Sequence, residues 1–398
     1  MRLSPLALVF LTACNPANPA SPPAAPSTAE PPARGRPWEA PADRAPLAPS
    51  TAEPLAPPPS ASAAPAAARP PEDSTFTPLP GFAGAFVVRG LPPVTHVSVS
   101  TWPGFACALD RAGTVWCWGD PAVGSMDASG LAFARPTPVD ALSPAVGLAA
   151  GRTQICVLAN TIRCAGREME PEPPVIRGAR ALDAGSDHAC ALTREGRVSC
   201  WGSASFGRLG GGSSPTLVPG VSGATAVAAG PFGSCAVRPP GTLMCWGAAS
   251  LIPWAPGGVG YVAPRPTPPT ALLGMSDVEH VSLRGPSPCL LRRGGRVHCW
   301  SPEDAATLLP QNPLPASSEV RGVKGPIAAL SGALLVRPQG ELLAIDLVYD
   351  AQFTSSFEAR PLGAGALGPV AQADGSRARG CVATREGRVV CWGTPRGP

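Results

Sequence analysis

The residues between Asp183 and Gly202 read DAGSDHACALTREGRVSCWG, and they constrain the fold more than any other stretch of the chain. Cys190 and Cys200 flank a turn signal that ends in Gly196, with apolar residues alternating on either side. This pattern is typical of a β-hairpin whose short loop ends in a left-handed glycine. Because directly opposed strand residues lie within disulfide range, the pattern predicts a cross-linked hairpin.

The same pattern of paired cysteines around a turn glycine recurs along the chain. Four further cysteine pairs share the ten-residue spacing and carry a glycine four positions before the second cysteine. The pair Cys156 and Cys164 is two residues shorter, and losing one residue from each strand preserves both the register and the buried face. A seventh copy around Gly340 has Leu334 and Ala344 in place of the cysteines. The predicted disulfides are Cys107–Cys117, Cys156–Cys164, Cys190–Cys200, Cys235–Cys245, Cys289–Cys299 and Cys381–Cys391.

A tryptophan follows the second cysteine in five of the copies, and the copies lie about 36 to 54 residues apart, within the range of four-stranded propeller blades. The run AG-x-x-H-x-C-A-L-x-x-x-G-x-V-x-C-W-G resembles the regulator of chromosome condensation repeat, in the cysteine-paired form of secreted bacterial proteins. The resemblance covers roughly residues 83–393 and implies an all-β, seven-bladed β-propeller of four-stranded blades. Little sequence follows Trp392, so we expect the strand around Phe86 to complete the last blade and close the ring.

The first residues read MRLSPLALVFLTAC, with a positive start at Arg2, an apolar run too short to remain in a bilayer, and small residues before Cys14. This arrangement resembles the lipobox of bacterial lipoproteins and implies that Cys14 is lipidated; an ordinary signal peptide is the alternative. The chain has 13 cysteines, an odd number, and Cys14 is the one left over by the pairing. Asn15 in place of aspartate implies an outer-membrane location in the bacterial cell envelope.

Residues 14–80 are rich in proline, alanine and serine. Such a segment buries too little apolar surface to fold, which predicts a disordered tether of at most about 150 to 200 Å when extended. The predicted organisation is a signal peptide at 1–13, the tether at 14–80 and the propeller at 81–398. The net charge is +4, with one lysine and scattered arginines, so no nucleic-acid-binding stripe is predicted.

Motifs for catalysis do not occur in the sequence, which lacks a nucleophile elbow, a phosphate-binding glycine loop with lysine, and His-Glu-x-x-His. No catalytic residue and no cofactor are therefore predicted. The long, uniform cysteine spacing is unlike that of zinc sites, so no metal site is predicted either. The small-GTPase exchange activity of the eukaryotic founding member of the family is not carried over, since no residues here match it.

The predicted function is binding of a protein or a glycan by a lipid-anchored monomer, through loops on one face of the ring. The longest connections span residues 120–143, 248–276, 301–322 and 346–368. Two alternatives stay open, a polysaccharide hydrolase or lyase acting in the central channel and a passive structural lipoprotein of the envelope. Two carboxylates with an arginine at the channel would favour the enzyme. The candidate binding residues are the exposed aromatics Trp254, Tyr261, Tyr349, Phe353 and Phe357.

Overall fold

Seven antiparallel sheets form the blades of a β-propeller, which confirms the predicted fold. The described residues contain two short 3-10 helices, Asp140–Leu142 and Ser205–Gly207, and neither has the length or hydrophobicity needed to span a membrane. The computed structural model describes residues 75–100, 104–119, 135–152, 154–166, 173–212, 216–248, 266–285, 287–300, 319–352 and 354–393.

Each blade begins with its innermost strand and continues outward. Strands β1 (Phe76–Pro78) and β2 (Ala85–Val88) precede the first blade. Blade 1 contains β3 (Val94–Val99), β4 (Phe105–Asp110), β5 (Val115–Gly119) and β6 (Thr137–Pro138). Blade 2 contains β7 (Gly147–Ala150), β8 (Gln154–Leu158) and β9 (Ile162–Gly166). Blade 3 contains β10 (Ala179–Ala184), β11 (His188–Thr193), β12 (Val198–Gly202) and β13 (Thr216–Leu217).

The remaining blades follow the same plan. Blade 4 contains β14 (Ala226–Ala229), β15 (Gly233–Arg238), β16 (Thr242–Ala248) and β17 (Pro266–Ser276). Blade 5 contains β18 (Val278–Ser282), β19 (Cys289–Arg292) and β20 (Arg296–Cys299). Blade 6 contains β21 (Ala329–Ser331), β22 (Leu334–Val336), β23 (Leu342–Tyr349) and β24 (Ser355–Pro361). Blade 7 contains β25 (Val370–Gly375), β26 (Gly380–Thr384) and β27 (Val389–Trp392).

The two ends of the propeller meet in blade 7, as expected from the sequence. Strand β2 pairs antiparallel with β27, and Phe86 lies opposite Cys391. Strand β1 then pairs with β2, so this sheet has five strands rather than the predicted four. The sheet of blade 7 thus includes Phe76–Pro78, which precede the predicted boundary at residue 81. Pairing of both ends within one sheet closes the ring and covers the outer edge of β27.

The central hairpins have the predicted register. Cys190 lies opposite Cys200, and the Cα atoms of every disulfide are 4.1 Å apart. In blade 6 the same two positions hold Leu334 and Ala344, which are also directly paired. The hairpin therefore forms without its cross-link in one blade of the ring. The six disulfides are Cys107–Cys117, Cys156–Cys164, Cys190–Cys200, Cys235–Cys245, Cys289–Cys299 and Cys381–Cys391.

The hydrophobic core lies between the blades, in seven clusters that each join two neighbouring sheets. The tryptophan after the second cysteine packs against the preceding blade. Trp246 of blade 4 thus lies among Leu192 and Val198 of blade 3, and it is fully buried. Aromatic side chains provide large buried areas, so these residues contribute strongly to holding adjacent blades together. The equivalent residues are Trp118, Trp201, Trp300 and Trp392.

In five of the hairpins the turn glycine accepts a hydrogen bond from the next blade. Gly196 has a φ of 75°, and its carbonyl accepts a 2.9 Å hydrogen bond from the Ala224 amide at the start of blade 4. A Cβ atom at residue 196 would lie 2.6 Å from the Gly223 Cα, too close for two carbon atoms. Equivalent carbonyl acceptors are Gly113, Gly241, Gly340 and Gly387.

Alternating strand directions give the ring two different faces. The hairpin face carries the tips between second and third strands, together with the segments that lead into each first strand. The loop face carries the connections from first to second strands, such as 185–187 and 376–379, and those from third to outer strands, such as 203–212. The hairpin tips are residues 111–114, 159–161, 194–197, 239–241, 293–295, 337–341 and 385–388.

Candidate functional site

One residue from the innermost strand of each blade contributes to a layer around the central channel. In six blades this residue pairs with the first cysteine of the disulfide, and in blade 6 it pairs with Leu334. Because the repeats are in register, these side chains lie at equivalent places in all seven blades. Three are serine, two are aspartate and two are alanine, so the layer is polar on part of its circumference. The residues are Ser98, Ala149, Asp183, Ala228, Ser282, Ser331 and Asp374.

Polar residues of this layer connect several blades to the blade that follows. The Asp183 carboxylate of blade 3 accepts a 2.9 Å hydrogen bond from the amide of Ala229 in blade 4. Asp374 of blade 7 accepts a 2.9 Å hydrogen bond from the amide of Val99 in blade 1. Serine hydroxyls do the same at two other interfaces, with Ser98 accepting from Ala150 and Ser282 from Gly332. The aspartates therefore share a structural role with serine.

Arg284 crosses the channel and joins both aspartates. It follows β18 of blade 5, and its Nη1 lies 3.2 Å from Asp183 Oδ1 while its Nη2 lies 3.0 Å from Asp374 Oδ2. Nη2 also donates to the Val99 carbonyl oxygen at 2.7 Å. The side chains of Arg284 and Asp374 are only 8% and 4% exposed. One guanidinium thus links four blades that lie on different sides of the channel.

Burial and ion pairing have opposite effects on the pKa values of this cluster. Burial raises the pKa of Asp183, and the opposing effects of Arg284 and two backbone amides do not fully offset it. Burial alone would lower the pKa of the Arg284 guanidinium, but the carboxylates of Asp374 and Asp183 raise it overall. Arg284 therefore remains protonated, and its positive charge is matched by the surrounding carboxylates.

A second polar cluster lies on the loop face of blades 2 and 3. Asp187 accepts from Arg152 at 2.9 Å and from Arg208 at 3.3 Å. His188, next in sequence, is fully buried, and its Nε2 lies 2.8 Å from the Ser234 hydroxyl of blade 4. Burial, followed by the nearby Arg208 charge, lowers the pKa of His188 to about 3, with Asp187 opposing. The His188 imidazole is therefore neutral at neutral pH, and it connects blades 3 and 4, in agreement with a structural role.

The loop after β12 is held in place by blade 4. The Arg208 carbonyl oxygen accepts hydrogen bonds from the Trp246 indole at 3.0 Å and from the Ser234 hydroxyl at 3.2 Å. Phe206 has a φ of 63°, and its ring meets that of Phe232 edge-on at 5.4 Å. Both phenylalanines are half-buried on the loop face. These contacts attach Phe206 and Arg208 of the loop to blade 4.

The aromatic residues predicted to bind a partner lie in different environments. Tyr349 ends β23 on the loop face and is 49% exposed. Phe357 is only 3% exposed, so its expected exposure is wrong. The segment expected to be an inserted loop instead lengthens β23 and β24, which places Phe357 in the core between blades 5 and 6. The other candidates lie outside the described residues: Cys14, Trp254, Tyr261 and Phe353.

Three of the long segments identified in the sequence, 120–143, 248–276 and 346–368, contain the outer strands β6, β17 and β24 of their blades. The described ends of these connections, at Gly119, Ala248 and Tyr349, lie toward the loop face. In blade 5, His298 forms an isolated bridge with Glu319, where the outer strand of the sheet would run. No group of three or more His, Cys, Asp or Glu side chains within the described ranges is arranged to hold a metal ion.

Comparison with known proteins supports the resemblance seen in the sequence. Residues 179–208 match the family model of the regulator of chromosome condensation (RCC1) repeat. Prp20p of Saccharomyces cerevisiae, whose binding to Gsp1p and histones has been described, has a similar structure, with a TM-score of 0.52 and 16% identity over 77% of this chain and 82% of that one.

Human WBSCR16 is similar to the same extent, with a TM-score of 0.55 and 16% identity over 77% of this chain and 88% of that one. No curated protein has a significantly similar sequence. At such identities the structural likeness indicates the fold alone. The family model thus matches one repeat, in blade 3, and the two similar structures show that the chain shares their propeller fold.

Proposed function

We propose that this chain is a lipid-anchored propeller outside the cytoplasm, which binds a protein or a glycan through its loop face and catalyses no reaction. It acts as a monomer and needs no metal or cofactor. The single observation that carries this proposal is that the channel carboxylates are already bound by other groups of the protein. They occur with an arginine, as a channel enzyme would require, but their oxygens are already engaged with Arg284 and with backbone amides.

General acid or base catalysis needs a carboxyl group that reaches the substrate. Asp374 is 4% exposed, and it accepts from Ser98, Ser331 and the Val99 amide in addition to Arg284. A substrate would have to displace these contacts, which connect blades of the ring. The equivalent serines make the same interblade hydrogen bonds, which favours a structural role for both aspartates over a hydrolase or lyase site.

Recognition by the loop face is supported by the scaffold. Loops that carry binding residues are usually displayed by a rigid framework, and this one is closed, cross-linked and packed at every blade interface. The connections between third and outer strands differ in length from blade to blade, as expected for a surface specialised in one partner. The related fold of Prp20p binds proteins. We do not propose a GTPase or chromatin partner, because the disulfides require an oxidising compartment.

The loop-face proposal is tested with a photo-crosslinking amino acid placed in the intact protein, in cells that produce it. A crosslinker at Tyr349, on the loop face of blade 6, is expected to give a discrete adduct with a protein or glycan. The matched control is Gln339, which is exposed at the hairpin tip of the same blade and should not give that adduct. The same adduct from both positions, or none from Tyr349, would contradict the proposal and favour a passive envelope lipoprotein.

The lipid anchor is tested separately. Labelling the cells with radioactive palmitate is expected to mark the protein, and Cys14→Ala is expected to abolish the label because its thiol is the predicted acylation site. Label that persists in the variant would refute lipidation at this residue. Six disulfides, which form in oxidising compartments, already favour an extracytoplasmic location.

A further inference from the structure

The arginines that are scattered along the sequence gather on one face of the folded ring. Each of the seven hairpins carries an arginine in its tip or within two residues of it, and several carry a second one. The sequence separates these residues by a whole repeat, but the propeller brings all the tips to the hairpin face. The first set consists of Arg111, Arg163, Arg194, Arg238, Arg293, Arg337 and Arg385.

Carboxylates neutralise only part of this charge. Glu195 and Glu386 lie within ion-pair distance of Arg197 and Arg388, and Glu341 pairs with Arg337. Asp277, just before β18, pairs with Arg292 at 2.6 Å and with Arg296 at 2.9 Å. Other tip arginines donate to neutral carbonyl groups, which orient a guanidinium without cancelling its charge. Arg293 donates to the Pro240 carbonyl at 2.8 Å, and the Arg163 guanidinium donates to four carbonyl oxygens. Arg111, Arg177 and Arg194 are exposed on the same face.

The described part of the loop face carries fewer arginines. Three of them meet carboxylates, with Arg152 and Arg208 on Asp187 and Arg377 on Asp346. The described part of the propeller therefore carries more of its positive charge on the hairpin face, although the net charge of the whole chain is only +4. An anionic surface would be attracted mainly to the hairpin face.

The chain also joins the propeller on the hairpin face. Phe76, at the start of β1, lies opposite Val88, and the Arg89 amide donates to the Thr75 carbonyl oxygen at 2.6 Å. Val94 then begins blade 1 at the tip glycine of blade 7, Gly387. The N-terminal part of the chain, which carries the proposed anchor at Cys14, is thus attached to the basic side of the ring. An anchored propeller can present this side to its membrane without passing the tether around the ring.

We propose that the hairpin face docks on the membrane to which the protein is anchored, through contacts between its arginines and lipid phosphate groups. Guanidinium groups pair well with phosphate oxygens, and a ring of them can contact many headgroups at once. The loop face is then turned away from the bilayer, free to meet the partner of the proposed function. This inference rests on the proposed lipid anchoring, and its test uses a protein that has no acyl chain on residue 14.

The test uses the full chain carrying Cys14→Ser, so that no acyl chain contributes, in sedimentation with vesicles. One vesicle contains equal parts of phosphatidylglycerol and phosphatidylethanolamine, and the other contains phosphatidylcholine alone. We expect binding to the first to exceed binding to the second at least tenfold in about 0.05 M salt, and to be lost in about 0.5 M salt because the charges are screened. Equal binding to both vesicles, or binding that resists salt, would overturn the proposal.

Charge reversals on the two faces of one blade provide the matched control. Arg111→Glu, on the hairpin face of blade 1, is expected to weaken binding to anionic vesicles by roughly fivefold or more. Arg135→Glu, exposed near the other end of that blade, should leave it unchanged. Combining Arg111→Glu with Arg177→Glu and Arg194→Glu should reduce binding at least twentyfold, while circular dichroism shows an unchanged fold.

Two further outcomes are decisive. If Arg111→Glu and Arg135→Glu weaken binding equally, the hairpin face is not the docking surface. If the protein binds soluble dextran sulfate but not the anionic vesicles, the face is a general polyanion site and the membrane proposal is wrong. Palmitate labelling at Cys14 is independent of all these results, so failure of the anchor and failure of the docking surface can be told apart.

Discussion

Replacing Arg284 by alanine is expected to lower the free energy of unfolding by about 3 to 5 kcal/mol at neutral pH. The substitution leaves Asp183 and Asp374 buried without their shared counterion. It also removes the hydrogen bond to the Val99 carbonyl oxygen, and with it the only described side chain that links blades 3, 5, 7 and 1 across the channel. Thermal and denaturant unfolding of purified variants would measure the loss.

The loss should depend on pH in a definite direction. Burial already raises the pKa of Asp183 above its ordinary value of 3.8, and Arg284 opposes that rise. Without Arg284 the folded-state pKa rises further, so the folded variant binds a proton at a pH where the unfolded chain does not. The stabilisation from this proton is complete below the ordinary pKa and is lost as pH rises through the folded-state pKa. The difference in unfolding free energy between wild type and Arg284→Ala should therefore become smaller as the pH falls from about 7 to about 4.

An exposed ion pair provides the control for this experiment. Arg377 contacts Asp346 at 2.7 Å, but its side chain is 37% exposed. Arg377→Ala should cost less than about 1 kcal/mol, because water solvates the remaining carboxylate. Adding Asp183→Asn and Asp374→Asn to Arg284→Met should recover part of the stability. A cost below about 1 kcal/mol for Arg284→Ala would show that the cluster does not hold the ring together.

Substituting alanine for Gly196 is expected to destabilise the propeller by about 2 to 4 kcal/mol. One part of this cost arises from the φ of 75°, which L-residues adopt with difficulty. The larger part arises from the contact with blade 4, since the added Cβ would lie 2.6 Å from Gly223 Cα and 2.7 Å from the Ala224 nitrogen. The two blades would have to separate slightly to admit the methyl group.

Gly220 separates these two contributions. Its φ is 71°, almost the same as that of Gly196, but a Cβ there would meet no atom within 4 Å. Gly220→Ala should therefore cost only about 1 kcal/mol, the conformational part alone. The difference between the two variants in thermal unfolding measures the interblade contact. Equal losses would mean that close packing of hairpin tips against the following blade contributes little.

Features that depend on local spacing were predictable from the sequence. The distance between paired cysteines and the position of the turn glycine determine the hairpin register, and this holds even where Leu334 and Ala344 replace the cysteines. Ring closure was also predictable, because the last hairpin lacks an outer strand that Phe86 and its neighbours supply. Both inferences rest on a pattern that occurs seven times, so a copy that departs from it, such as the one in blade 6, can be aligned with the others.

Features that join distant residues were not predictable. Arg284 meets Asp183 from 101 positions away and Asp374 from 90 positions away, and no local pattern connects them. One signal was available, since Arg284 stands where other repeats have Gly151, Gly185 or Gly230. Phe357 was misjudged because a strand that continues beyond its expected end resembles a loop insertion. The arginines of the hairpin face seemed scattered because one repeat separates each from the next.

The pairing of β2 with β27 also governs when the protein can fold. Ribosomes make the chain from its N-terminus, so residues 85–88 emerge long before residues 389–392, to which they must bind. Until then β2 has an unpaired backbone edge, and a nascent or truncated chain exposes this edge to other molecules. Only a product that includes residues 389–392 can complete the circle, so a chain that stops earlier keeps this backbone edge exposed.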